Sequence, residues 1–200
     1  MRRVGVITIL CAALAIGTVS GCGTAGAANQ SRGAKVVRNQ VHPLVFQNRT
    51  SDNIIAPDTK LDSQPVRGSL YKDVLVLQAN GKSAHLDVTH GPLLFVAYWC
   101  PHCQRTLQLL TKLQSQLKQI PTLVDVGYPS GATLADAVRI DRAERAQLHL
   151  ANFPTYFILA PNAGDQYAPL GYPTLVYRQG GQTLSLFGEH TSAIWKQILS

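Results

Sequence analysis

Between Leu93 and Tyr98 the chain is apolar at every position, and after Trp99 it turns into Cys100-Pro101-His102-Cys103. An apolar run of strand length with no alternation suits a strand covered on both faces, as in a parallel sheet. Beyond the second cysteine, Leu107, Leu110, Leu113, Leu117 and Ile120 recur at spacings of three and four. That spacing predicts one apolar helical face extending to about Gln119. Cys100 therefore lies where a strand becomes a helix, and helices must cover the sheet that the strand belongs to.

The flanking sequence supplies the other layers. From Asp73, Val74 to Leu77, a turn at Asn80-Gly81 and Ala84 to Val88 read as a hairpin, the Asn-Gly pair being suited to positive φ. Thr122 to Gly127 and Pro154 to Leu159 read as strands. Thr133 with Asp136 reads as a capping-box start for a helix ending near Leu150. Pro161 to Asp165 marks a turn. Leu175 to Arg178 and Thr183 to Phe187 form a hairpin about Gly180-Gly181, and Ile194, Trp195, Ile198 and Leu199 line one face of a last helix. Strands alternating with helices predict an α/β fold, a central sheet with helices on both faces. Its domain is expected over residues 68–200. Residues 22–67, rich in Gly, Ala, Asn, Gln, Ser and Asp, read as a flexible tether.

Residues 1–21 are excluded from the fold. Arg2 and Arg3 precede an apolar run from Val4 to about Val19, the organisation of a secretory signal. Val19-Ser20-Gly21-Cys22 resembles the end of a bacterial lipoprotein signal, which implies cleavage before Cys22 and lipid on its thiol, an anchored rather than a spanning protein. The alternative, an uncleaved transmembrane anchor, is weakened because the run falls short of the roughly 20 residues a spanning helix needs. Loss of Arg2 and Arg3 lowers the formal charge from +7 to +5. The remaining basic residues are not clustered with aromatics, which argues against nucleic acid as a partner.

Of four cysteines, Cys11 leaves with the signal and Cys22 is expected to carry lipid, so Cys100 and Cys103 alone remain. No pair is left for a structural disulfide. At a helix start, unpaired N–H groups and the dipole favour thiolate at Cys100, and Pro101 suits the first helical turn. Cys103, one turn inside, is expected to resolve the mixed disulfide that Cys100 forms. His102 is expected to stabilise the thiolate further, or else to be a solvent-facing helix residue. The competing reading is half a zinc site completed by His85, His90, His149 or His190, though none forms a second close-spaced pair. No metal or organic cofactor is expected.

Trp99-Cys100-Pro101-His102-Cys103 after an apolar strand, with Gly171-Tyr172-Pro173-Thr174-Leu175-Val176-Tyr177 before a hairpin and last helix, resembles the two signature segments of the thioredoxin superfamily. The resemblance covers about Asp73 to Ser200. Pro173 lies 73 residues beyond Cys100, too far for a plain thioredoxin, and the added helix and strand between Thr133 and Leu159 are similar to the insertion of the membrane-tethered TlpA- and ResA-like branch. The resemblance implies that Pro173 is a cis-proline beside the cysteines, with Pro154 as a rival, and that Trp99 and the Tyr172 backbone meet an extended client. Two positions depart from the pattern. Leu94 stands where thioredoxin has a buried aspartate, and Tyr128 aligns with a glutamate of some ResA-like proteins, so the proton acceptor for Cys103 is not apparent. Pro-His between the cysteines resembles the oxidising DsbA, whereas the scaffold resembles reductases.

The function expected is thiol–disulfide exchange with secreted or cell-surface proteins, as an oxidase or isomerase, with a membrane redox partner to recycle the site. The alternatives are a reductase serving cytochrome c maturation and a metal-binding or redox-sensing module without turnover.

Overall fold

A computed structural model describes residues 42–200. Strands β1 (Gln64–Pro65), β2 (Val74–Leu77), β3 (Ser83–Leu86), β4 (Leu93–Val96), β5 (Thr122–Asp125), β6 (Thr155–Phe157), β7 (Thr174–Gln179) and β8 (Gln182–Phe187) form one mixed sheet in the order β1-β8-β7-β4-β5-β6-β2-β3. Helices α1 (Pro101–Leu113), α2 (Leu134–Leu148), α3 (Ala163–Tyr167) and α4 (Ser192–Leu199) flank it. β4, β5 and β6 are parallel, and β7 is antiparallel to both β4 and β8. This is the α/β architecture expected, with the N-terminal hairpin and the helix–strand insertion in place.

β4 is buried along its whole length. Leu94 and Val96 pack with Leu107, Leu110 and Trp195 under α1 and α4, while Leu93 and Phe95 pack with Tyr71, Val74 and Val124 on the opposite face. Alternation of two along a strand thus builds two apolar layers, which explains why the run has no polar residue. At the start of α2, the Thr133 hydroxyl accepts from the Asp136 N–H at 3.2 Å and the Asp136 carboxylate accepts from the Thr133 N–H at 3.1 Å. Both halves of the capping box are therefore made.

Four details differ from the sequence reading. The helix after the cysteines ends at Leu113, because the chain tightens and then turns so that the Lys118 and Gln119 N–H groups donate to the Leu199 carbonyl at the end of α4. Pro161 to Asp165 is not simply a turn but leads into α3. In the β2–β3 turn Gly81 takes positive φ (+85°) and Asn80 does not. The fourth is the largest: the described part of the expected tether, residues 42–67, packs against the domain. Phe46 is 5% exposed, and β1 pairs with β8. Residues 1–41, with the expected signal and Cys22, lie outside the described residues.

Candidate active site

Cys100 is the N-cap of α1 (φ −86°, ψ 115°) and Pro101 its first helical residue. The extended N-cap backbone aims the Cys100 side chain back over the helix end, where its sulfur accepts from the Cys103 N–H at 3.4 Å. Cys103 is fully buried, and its sulfur accepts from the Ala97 N–H at 3.5 Å. Both are free thiols. The hydrogen bond from the Cys103 thiol and the backbone N–H groups of Cys103 and His102 lower the Cys100 pKa, against the opposing effects of burial and of the Glu189 charge. Burial, and then the neighbouring Cys100 sulfur, push the Cys103 thiol well up. One sulfur is thus prepared as thiolate while the other holds its proton.

The Tyr172–Pro173 peptide is cis, as expected, and Pro154 is not part of a cis bond. The Tyr172 carbonyl accepts from the Cys100 thiol at 3.6 Å. Trp99 closes the other side. Its indole N–H donates to the Gly127 carbonyl at 2.9 Å, its edge meets the Tyr172 ring with centroids 5.9 Å apart, and its face stacks on His42 at 3.8 Å. Gly127 takes φ +78°, a conformation that favours glycine, and a Cβ there would press on Ala97 at 3.1 Å and on the indole nitrogen at 3.2 Å. Gly164 carries the Tyr172 ring in the same way, and a Cβ there would collide with the phenol oxygen. Gly164→Ala is accordingly expected to displace the Tyr172 ring and raise the KM for a peptide disulfide severalfold with little change in kcat, as measured by steady-state exchange kinetics.

The His102 ring is held at Glu189. Its Nδ1 meets the Glu189 carboxylate, and it is the His102 backbone N–H that acts on Cys100. Arg105, one turn on, also binds Glu189, its Nε lying 3.0 Å from both oxygens. Gln104 and Arg105 hold the N-terminal segment. The Gln104 amide donates to the Gln47 and Tyr98 carbonyls at 2.9 and 2.8 Å and accepts from the Arg49 N–H at 2.7 Å. The Arg105 guanidinium donates to the Thr50 and Asp52 carbonyls at 3.0 and 2.7 Å.

Leu94 is fully buried on β4 and carries no proton, as its side chain requires. Acids nevertheless lie nearby, from positions the sequence did not single out. Asp125, at the end of β5 opposite Val96, accepts from the Tyr128 hydroxyl, and burial pushes its pKa up to about 8. Burial, followed by the Asp125 charge, raises Glu144 of α2 well above the ordinary carboxylate range, and Glu144 in turn helps to raise Cys103. One oxygen of each acid is buried without a partner. Among the described residues, no group of three His, Cys, Asp or Glu side chains could hold a metal, so the histidines weighed as zinc ligands are not gathered at the cysteine pair.

A helix capped by the first of two cysteines, faced by a cis-proline loop where two central strands of a mixed sheet meet, defines a thioredoxin-fold protein. The chain belongs to the TraF family, described as F plasmid transfer operon protein, whose model matches residues 63–179. No curated protein matches it. Similar solved structures include Mycobacterium tuberculosis DsbF (15% identity, 64% of this chain and 93% of that chain, TM-score 0.45). Another is a secreted M. tuberculosis disulfide oxidoreductase homologous to E. coli DsbE (16% identity, 63% and 89% coverage, TM-score 0.43). A third is the pneumococcal exposed lipoprotein thioredoxin of Streptococcus pneumoniae (18% identity, 62% and 96% coverage, TM-score 0.45).

Proposed function

We propose that this protein is an extracytoplasmic thiol–disulfide oxidoreductase that oxidises or isomerises secreted or cell-surface proteins through Cys100 and Cys103. The observation that supports it most is the division between the two sulfurs: Cys100 caps α1 beside the Tyr172 carbonyl with its pKa lowered, and Cys103 is buried behind it with its pKa raised. In the oxidising direction a client thiolate attacks the Cys100 sulfur of the disulfide, and Cys103 leaves as a thiolate that takes a proton. The client's second thiolate then attacks the client sulfur of the mixed disulfide and Cys100 leaves. Two electrons and two protons pass from the client dithiol to the cysteine pair, and a membrane redox partner that accepts electrons removes them. A client strand lies against the Tyr172 backbone, with Trp99 and Pro173 as walls of its groove. The thiolate end of the pair is favoured, so the reduction potential against glutathione buffers is expected above the roughly −270 mV of thioredoxin. A value at or below that figure would support the reductase alternative.

The same proposal places the protein on a membrane through a lipid on Cys22, on the strength of Val19-Ser20-Gly21-Cys22 after the apolar run. No helix among the described residues is long and apolar enough to cross a membrane. Cys22→Ala is expected to move the protein out of the membrane fraction or leave it unprocessed. Wild type without lipid by intact mass, and unchanged partitioning of the variant, would remove the anchor.

A further inference from the structure

We propose that Glu189 is a positioning residue that sets the redox poise of the Cys100–Cys103 pair, by binding the His102 imidazole and the Arg105 guanidinium in a buried ion cluster at the start of α1. This rests on the exchange reading above.

The Glu189 side chain is 6% exposed, while His102 and Arg105 are 27% and 17% exposed. One carboxylate oxygen meets His102 Nδ1 and Arg105 Nη2, and both oxygens lie 3.0 Å from Arg105 Nε. Arg105 Nη2 is itself 2.9 Å from His102 Nδ1, so the ring nitrogen faces an acceptor and a donor at once. Backbone bonds hold the main chain at Glu189: its carbonyl accepts from the Asp58 N–H at 2.8 Å, and the Asp58 carbonyl accepts from the Thr191 N–H at 3.0 Å. Glu189 therefore reaches α1 from a tied β8–α4 connection, with its carboxylate held on Arg105.

A buried ion cluster is a weak device for stability, because its desolvation offsets most of its attraction, and apolar side chains would fill the space as well. Its position explains it better. One of its members is a residue between the two cysteines, on the turn whose N–H groups and dipole hold the Cys100 thiolate. A fixed negative charge there opposes the thiolate, and the Glu189 charge is among the influences that raise the Cys100 pKa. By engaging the Arg105 guanidinium and the His102 ring, the carboxylate also keeps them from serving the sulfur. Both effects act in one direction and restrain the oxidising strength that the helix start and the Pro-His pair would otherwise confer.

The test is the equilibrium in which the disulfide and two glutathione molecules give the dithiol and one glutathione disulfide, measured for wild type and Glu189→Gln. It is joined by the pH profile of Cys100 thiolate absorbance. Glu189→Gln keeps an oxygen for Arg105 and removes the charge. It is expected to shift the equilibrium about tenfold towards the dithiol, equivalent to about 30 mV, and to move the thiolate profile to lower pH. A residue that merely held the fold would change the melting temperature and leave both readouts in place. An unchanged or lowered potential with an unchanged thiolate profile overturns the role of Glu189. If Glu189→Gln does not fold, Glu189→Asp takes its place: the shorter arm frees His102, and a smaller shift in the same direction is expected, its absence being equally fatal. A wild-type protein that forms no Cys100–Cys103 disulfide at any glutathione ratio overturns the exchange reading instead.

Discussion

Cys103→Ser is expected to accumulate mixed disulfides with clients, and Cys100→Ser to lose exchange activity by on the order of a thousandfold or more. The asymmetry follows from placement. Cys100 is 4% exposed at the helix cap, with the Tyr172 carbonyl beside it, whereas Cys103 has no exposed surface and lies against the Ala97 N–H. When Cys103 is serine, a disulfide formed at Cys100 has no neighbouring thiol to release it, and the adduct persists on non-reducing gels until outside thiol arrives. When Cys100 is serine, the remaining thiol is shielded and held in its protonated form by burial. Turnover of a fluorescent peptide disulfide and gel-shift trapping measure the two effects separately. Equal trapping by both variants, or by neither, would reverse or remove the assigned order.

Asp125→Asn is expected to make the protein more stable than wild type at alkaline pH, by about 2–4 kcal/mol near pH 9. Asp125 is fully enclosed on β5, and burial outweighs the hydrogen bond from Tyr128 to raise its pKa from 3.8 to about 8. The folded protein therefore holds this proton more tightly than the unfolded chain does. The stabilisation is complete below about pH 4, where both states are protonated, and is lost progressively as pH rises through about 8, because over that window the unfolded chain ionises and the folded one resists. Each unit of difference is worth about 1.4 kcal/mol, and the rise of roughly four units sets an upper value of about 6 kcal/mol, from which the cost of the buried amide is subtracted. Denaturant titrations of both proteins at pH 6 and pH 9 check this. The cysteines titrate in both alike, so superimposable pH curves would exclude Asp125 as the cause.

The order of strands and helices was readable because burial on both sheet faces leaves a long apolar run, as at Leu93 to Tyr98, and because helix starts carry local chemistry, as at Thr133 and Asp136. Cys100 was readable for the same reason, a helix cap being a property of a short segment, whereas Pro173 was readable through the family resemblance of its segment. What escaped was made by contacts between distant segments. Residues 42–53 look like linker because they are held largely by their own carbonyls, which accept from Gln104 and Arg105 and leave no mark in composition. Glu144 sits among Arg142, Arg145 and Asp141 and looks like part of a solvated helix face, yet it is 5% exposed. Asp125 ends a strand that reads as continuing to Gly127, where a carboxylate resembles the polar edge of a loop. Glu189 follows Gly188 in what reads as a turn, and nothing in its neighbours points to His102.

The stacking of His42 on Trp99 has a practical side. A tag, bead or fusion partner joined directly at residue 42 meets the domain at the indole that rims the reactive sulfur. Ser200, by contrast, bonds to the Gln116 carbonyl just past the far end of α1, a helix of 13 residues and so roughly 20 Å long. Immobilised through Ser200 the protein turns its cysteines outward to solution; immobilised directly at residue 42 it turns them to the support. Client association rates read on the two surfaces should therefore differ for reasons of access alone.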